Sequence, residues 1–276
     1  MDDQITTIAG SVVQHGRHNR RIYVMHLRPL EIRRLIPLLD RLAVKHGYDK
    51  ILAKVPETHW RPFRSAGYEK EAVVPGFFQG SIDGLFAAKF FSERRQLPDS
   101  RTIREYAPSA APGRPPAVEA APSASACTPE DAPTLANIYG RVFASYAFPI
   151  HRPGYLRRMM LKNAAYFCIR VNRRAAAAAA AEVDADEANC EMTDFATLPE
   201  YRGRGLAAKL LRRLDKEART RGIKTAYTIA RADSRAMNRI FAKAGYRPAG
   251  RLVNNTQIAG RIESMNVWHK SLHAAE

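Results

Sequence analysis

Between Leu206 and Gly222 the chain reads LAAKLLRRLDKEARTRG, with Leu206, Leu210 and Leu214 spaced every four positions and Ala207, Leu211 and Ala218 beside them. One apolar stripe at that period predicts an amphipathic helix, and Gly222 supplies its stop. Thr128-Pro129-Glu130-Asp131 offers an N-cap, a proline at the first helical position and acids in the first turn, so a helix is predicted from there to about Phe143. YLRRMMLKN (155–163) predicts a short basic helix. Ser234–Ala244 predicts another, closed by Gly245 where a left-handed cap is wanted. The apolar runs AAYFCIRV (164–171), CEMTDFATL (190–198) and IKTAYTIA (223–230) predict strands, as do the closing runs YRPAGRLVNN (246–255) and SMNVWHKSL (264–272).

The run RAAAAAAAEV (174–183) pulls in two directions. Alanine favours a helix on its own. Yet the run is short, starts two residues after a strand and is followed by the turn DADEAN. Its position predicts a strand in a meander, against the alternatives of a short helix or a disordered alanine tract. Large apolar residues then thin out over 96–126, where 18 of 31 residues are Pro, Ala or Ser. Such a stretch cannot bury enough surface to offset its ordering entropy and is predicted to be a linker. It separates an N-terminal α/β domain (1–95) from a second domain (127–276).

Composition adds the sign of the charge. Across 276 residues, 44 Lys and Arg stand against 27 Asp and Glu, a formal net charge of +17, which points to an anionic partner. Nucleic acid, a membrane surface and a phosphorylated cofactor all qualify. The arginines are not interleaved with aromatic stacking platforms, so nucleic acid is the weaker reading. A coding bias toward GC-rich codons would also supply arginine, alanine and proline. Three cysteines, Cys127, Cys168 and Cys190, lie far apart with no CxxC spacing, and the eight histidines show no metal-ligand spacing. Neither a disulfide framework nor a metal site is expected. The N-terminus MDDQITTIAG lacks the apolar core of a signal peptide, and no run approaches the ~18 apolar residues that span a bilayer. The expectation is a cytoplasmic protein with no membrane partner.

The candidate chemistry sits in Leu198-Pro-Glu-Tyr-Arg-Gly-Arg-Gly-Leu-Ala207, between a strand and the amphipathic helix. Two glycines allow a sharp turn that exposes backbone N–H groups, and the helix N-terminus and Arg202 and Arg204 add positive charge. Strand, RGxGxA turn, helix, strand and a helix ending in Gly-Tyr together resemble the GNAT family of acetyl-CoA-dependent N-acetyltransferases. The resemblance implies a GNAT fold: a mixed, mainly antiparallel central sheet flanked by helices. It implies coenzyme A pyrophosphate on the amides of Arg202, Gly203, Arg204, Gly205, Leu206 and Ala207. It also implies a strand ending at Leu198 that splays from its neighbour to receive the pantetheine arm. Ser234 and Asn238 fall on the family's second motif, RADSRAMNRIFAKAGY, beside the acetyl group. The phrases EMTDFATLPEYRGRGLA, MNRIFAKAGY, DKILAKVP and GYEKEAVVPGFFQG resemble β-lysine N-acetyltransferases in particular. That implies acetyl-CoA as cosubstrate and the side-chain amine of β-lysine as acceptor. The alternatives are lysine, a polyamine, or a basic nucleic-acid-associated protein with a vestigial fold of this kind.

Acetyl transfer needs a neutral amine, a polarised thioester carbonyl and a protonated leaving thiolate. The family's usual base position corresponds to Glu191, and Asp194 is a candidate contact for a substrate ammonium. A regular strand would turn these two to opposite faces unless a bulge intervenes. The tyrosine that often serves as acid is replaced by Phe241, and an asparagine frequent in the family by Ser234. Tyr227 and Tyr246 are nearby phenols, and Tyr246 also fits a core position. Tyr146 and Phe148, in the loop between the first two helices of this domain, are candidates for the acceptor pocket.

The two parts also echo one another. LLDRLAVKHGYDKILAKV (38–55) aligns with RRLDKEARTRGIKTAYTI (212–229), and FRSAGY (63–68) with FAKAGY (241–246). The first part is thus expected to be a half-copy of the GNAT fold without the glycine turn. It is expected to bind no coenzyme and to serve packing, site closure or a homodimer.

Overall fold

The alanine run shows how context overrides propensity. In the computed structural model, which describes residues 3–97, 123–258 and 260–272, it forms the strand β9. Ala177, Ala179 and Ala181 face one layer of helix, and Ala178 and Ala180 face another. Small side chains let both layers approach closely, and ladders on both edges hold the strand.

In chain order the first half contains β1 (Gln4–Ile8), β2 (Ser11–Gly16), β3 (Arg21–His26), α1 (Ile32–His46), β4 (Lys50–Pro56), α2 (Trp60–Ser65), β5 (Glu69–Phe78), β6 (Ile82–Phe90) and α3 (Glu93–Gln96). The second half contains β7 (Ala124–Ala126), α4 (Ala132–Val142), α5 (Pro153–Lys162), β8 (Ala164–Val171), β9 (Arg174–Asp184), β10 (Asn189–Thr197), α6 (Leu206–Thr220), β11 (Thr225–Arg231), α7 (Arg235–Lys243), β12 (Arg247–Ile258) and β13 (Arg261–Ser271). The expected linker 96–126 lies mostly outside the described residues. Its ends need correcting, because Gln96 closes α3 and Ala124–Ala126 pair with β8. No helix among the described residues is long and apolar enough to cross a membrane.

All the described strands form one mixed sheet in the order β1-β2-β3-β4-β6-β5-β12-β13-β11-β10-β9-β8-β7. From the centre outward, β5-β6-β4-β3-β2 repeats β12-β13-β11-β10-β9. The parallel pairs match as well: β3 with β4, and β10 with β11. The likeness reaches single side chains. Lys89 pairs with Asp40 at 2.8 Å, and Lys270 with Asp215 at 2.7 Å, at equivalent places. Helices α1 and α2 cover the outer face of the first half, and α6 and α7 that of the second.

The halves meet where β12 approaches β5 at Gly250 and Ala72. Gly250 has φ +148°, and any Cβ there would strike the backbone of Glu71 and Ala72. The contact is reciprocal. The β5–β6 turn docks on the second half through Gln79 N–H to the Glu187 carbonyl (2.8 Å). The β12 strand docks on the first through Gln257 N–H to Asn19 Oδ1 (2.7 Å). An apolar cluster including Tyr23, Leu52, Phe77 and Phe86 with Tyr227, Leu252 and Met265 fills the space between the inner faces.

One ion pair is sealed into this junction. Lys50 Nζ lies 2.7 Å from Glu71 Oε2 and donates to the Val253 carbonyl at 2.7 Å, while Glu71 Oε1 accepts from Val253 N–H. Lys50 is fully buried. Glu71→Ala would leave that ammonium without its counter-ion, and breaking such a pair costs about 3–5 kcal/mol. Denaturant unfolding of the variant should show a loss of that size.

Candidate active site

Strand β10 carries the site because it breaks two rules of regular strands. The first is register. Thr193 lies opposite Ala180 but Ala196 lies opposite Ala178, so two residues of β10 stand against one of β9. Asp194 occupies this bulge with φ +56°. The extra residue turns Asp194 to the face of Glu191 and Thr193, where it accepts from Tyr166 Oη (3.2 Å) and Thr193 Oγ1 (3.4 Å). Phe195 goes to the other face, against Phe241.

The second is pairing. β10 bonds to β11 only from Asn189–Thr225 to Glu191–Tyr227, although β10 continues to Thr197 and β11 to Arg231. Past Glu191 the ladder between the two strands ends, which leaves an opening in the pairing of the sheet. At its end the chain turns through Gly203 (φ +77°) and Gly205 (φ +70°) into α6. The first bond of that helix is from Lys209 N–H to the Gly205 carbonyl, so the amides of Leu206, Ala207 and Ala208 have no partner within the helix. Arg202 and Arg204 stand exposed beside them, Arg204 resting on the Tyr201 ring. Open strand edge, free amides and two guanidiniums suit a thin, polyanionic ligand such as coenzyme A.

On the inner face, beside this opening, lies a cavity of about 130 Å³. Glu182 of β9 and Glu191 of β10 are direct cross-strand partners, and both line it, with Tyr227 next to Glu191. Like charges placed directly opposite destabilise a sheet. The first half supplies Arg21, Tyr23, His26 and Lys54 to the same cavity. Lys54 Nζ reaches the Tyr227 hydroxyl at 3.4 Å and lies over the rings of Tyr23, Phe77 and Tyr227. His26 Nδ1 stands 3.4 Å from Asp184.

Burial in this company pushes carboxyls toward the neutral acid. Desolvation, with Asp194 and Glu191 adding to it, raises Glu182 to about 8. Desolvation lifts Asp194 to about 6 against the pull of its hydroxyl neighbours. Glu191 is also raised by desolvation, opposed by Lys54 and the adjacent Tyr227. A carboxyl raised on folding stays protonated while the unfolded chain has already ionised. Its contribution to stability therefore falls as pH climbs from about 4.3 to about 8. In Glu182→Gln this loss should disappear. Melting temperatures at pH 5.5 and 8 should differ less for the variant than for the parent, and parallel curves would contradict the assignment.

The expected residues divide. Glu191, Tyr146 and Phe148 line the cavity together. Asp194 is close by but buried and occupied by hydroxyl donors, so it cannot meet a substrate ammonium directly. Leu198 is also committed, because its side chain is in the core, its N–H donates to the Ala176 carbonyl and its carbonyl accepts from Tyr201. Ser234 stands at the N-cap position of α7, and its side chain makes no capping hydrogen bond. Asn238 is fully buried; its Nδ2 donates to the Arg231 and Ser234 carbonyls, and its Oδ1 accepts from Asn266 and Trp268. It has no free polar atom for a coenzyme and instead ties the β11–α7 turn to β13. Tyr246 donates to Asp215 at 2.7 Å within the core. Sequence reasoning missed Glu182 and the individual residues that the first half supplies, although site closure was among the roles expected of that half. Glu182 did leave a signal, as one of two acids, with Asp184, that close a strand built mostly of alanine.

Residues 133–246 match the family described as Acetyltransferase (GNAT) family. The chain is 33% identical over 272 residues to a Beta-lysine N(6)-acetyltransferase of Methanococcus maripaludis, covering 97% of this chain and 98% of that protein. It is 30% identical over 268 residues to the N-acetyltransferase YodP of Bacillus subtilis, covering 95% and 96%. A Beta-lysine N(6)-acetyltransferase of Methanosarcina mazei is 34% identical over 180 residues, covering 65% of this chain and 59% of that protein. The first two matches run through both halves. With that likeness along nearly its whole length, and the family's own region in its second half, the chain belongs to the GNAT family and is an N-acetyltransferase.

Proposed function

We propose that this enzyme transfers an acetyl group from acetyl-CoA to the side-chain amine, N6, of β-lysine. The observation that carries the reading is the cross-strand pair Glu182 and Glu191, facing one cavity beside the opening between β10 and β11. The glycine turn and the first amides of α6 would hold the pyrophosphate, with Arg202 and Arg204 balancing its charge. Acetyl-CoA supplies the activated acyl group. Glu191 would take the proton from the incoming ammonium, directly or through a water, because a carboxyl raised toward neutrality is a better match to an amine than an ordinary one. Glu182, raised to about 8, stays largely protonated near neutral pH and would offer the acceptor a hydrogen-bonding carboxyl beside Glu191. Tyr146 and Phe148 would close over the acceptor from the α4–α5 loop, with Asp194 placing Thr193 and Tyr166 behind them.

The full-length similarity to a protein named for β-lysine supports that acceptor over other amines. Coenzyme A release should be measured with β-lysine, lysine, ornithine and spermidine at equal concentration. The expected result is the highest kcat/KM for β-lysine. Preferred turnover of spermidine would replace the diamino acid by a polyamine.

A further inference from the structure

The first half of the chain carries a charge that acetyl transfer to an amine does not require. Arg21 lies on β3, is 4% exposed and lines the cavity. Its Nη1 donates to the Asn255 carbonyl at 2.9 Å and to Thr256 Oγ1 at 3.2 Å, and its Nη2 to Gln14 Oε1 at 3.5 Å. All three acceptors are neutral. Among the described residues no carboxylate lies within ion-pair distance of it. Asp3 and Glu71 act on it only from farther away, and each is engaged elsewhere: Asp3 by Asn19 at 2.6 Å, Glu71 by Lys50 at 2.7 Å. A guanidinium does not give up its proton in proteins, so a full positive charge is buried here without a counter-ion. That is a costly arrangement for a fold to keep unless a ligand completes it.

The cavity is also polarised along its length. Arg21 lies over the Tyr23 ring at 5.1 Å, and Lys54 lies over the same ring at 5.8 Å. Beyond Lys54 the surroundings change sign, because its field comes from Glu191, Asp184 and Glu182, whereas the carboxylates that act on Arg21 are the more distant Asp3 and Glu71. One end thus presents acids and the other an unpaired guanidinium, with an aromatic ring between. Ammonium groups belong at the first end. At the second, the planar fork of arginine suits the two oxygens of a carboxylate.

We propose that Arg21 anchors the carboxylate of the acceptor, so that the first half of the chain makes the enzyme selective for diamino acids over diamines and polyamines. This deepens the β-lysine reading and rests on it. It also gives the half without a glycine turn a place in the active site.

The test compares β-lysine with its carboxamide and with 1,4-diaminopentane, which lacks the carboxylate, on the wild-type enzyme. A lost charge-assisted contact should lower kcat/KM roughly 10- to 100-fold for both analogues, mainly through KM. In Arg21→Gln the KM for β-lysine should rise by the same factor while that for 1,4-diaminopentane stays put, and Arg21→Lys should recover part of the difference. A merely structural arginine would impair all three acceptors alike. If Arg21→Gln does not fold, the wild-type comparison decides alone. Equal kcat/KM for β-lysine and its carboxamide overturns the Arg21 assignment and leaves the acceptor reading standing. Absence of any turnover with β-lysine overturns both.

Discussion

Gly205→Glu should lose acetyl-CoA affinity by roughly 100-fold or more, because like charges forced together at a binding site cost several kcal/mol. Gly205 is the residue from which α6 starts, at φ +70°. The amides of Leu206 to Ala208 have no partner within the helix and lie at the positive end of its 15 residues. A glutamate there would place a carboxylate where the pyrophosphate is proposed to lie and would compete for the same N–H groups. The position has open space around it, so no neighbour is displaced. The cost of a side chain at positive φ is separated by Gly205→Ala, which carries the backbone strain of about 1 kcal/mol without the charge. Calorimetric titration should show the alanine variant binding within about tenfold of the parent and the glutamate variant far weaker. Equal affinities for parent and Gly205→Glu, with normal melting curves, would remove the coenzyme from this turn.

Glu191→Gln should act on rate and spare coenzyme binding. Glutamine keeps the shape and the neighbour Tyr227 but cannot take a proton. Loss of a general base lowers kcat by about 10²–10⁴-fold. The sign of the pH effect follows from the raised carboxyl. The parent must have Glu191 ionised to act, so its rate falls as pH drops through that elevated pKa, and the acid limb should vanish in the variant. Unchanged turnover and pH profile would transfer the role to Glu182, its partner across the ladder.

The strands and helices of the second half were legible because their signals are local. The leucine stripe of α6, the capping residues at Thr128 and the glycine stop at 222 act within a few positions. The glycine turn was legible for the same reason. The bulge at Asp194 was not, since a non-glycine residue with positive φ leaves no pattern of its own. Nor was the cavity that Arg21 and Lys54 share with Glu191, more than 130 residues away in the chain. Strand order brings them together, and the pairing of β5 with β12 depends on packing between halves rather than on either segment alone. The echo of 38–55 in 212–229 announced a repeat of the fold. It did not reveal that the repeated half faces the same cavity.

Both substrates are proposed to meet in the cavity between the two halves of the chain. A crystal structure of the enzyme with coenzyme A and N6-acetyl-β-lysine tests this most directly. The expected complex has the pantetheine arm in the opening beyond Glu191, the pyrophosphate on the amides around Gly205, and the product between Glu191 and Arg21 with its carboxylate on the guanidinium. A product bound outside the cavity between the halves, with Arg21 still making only its neutral contacts to Asn255 and Thr256, would contradict it.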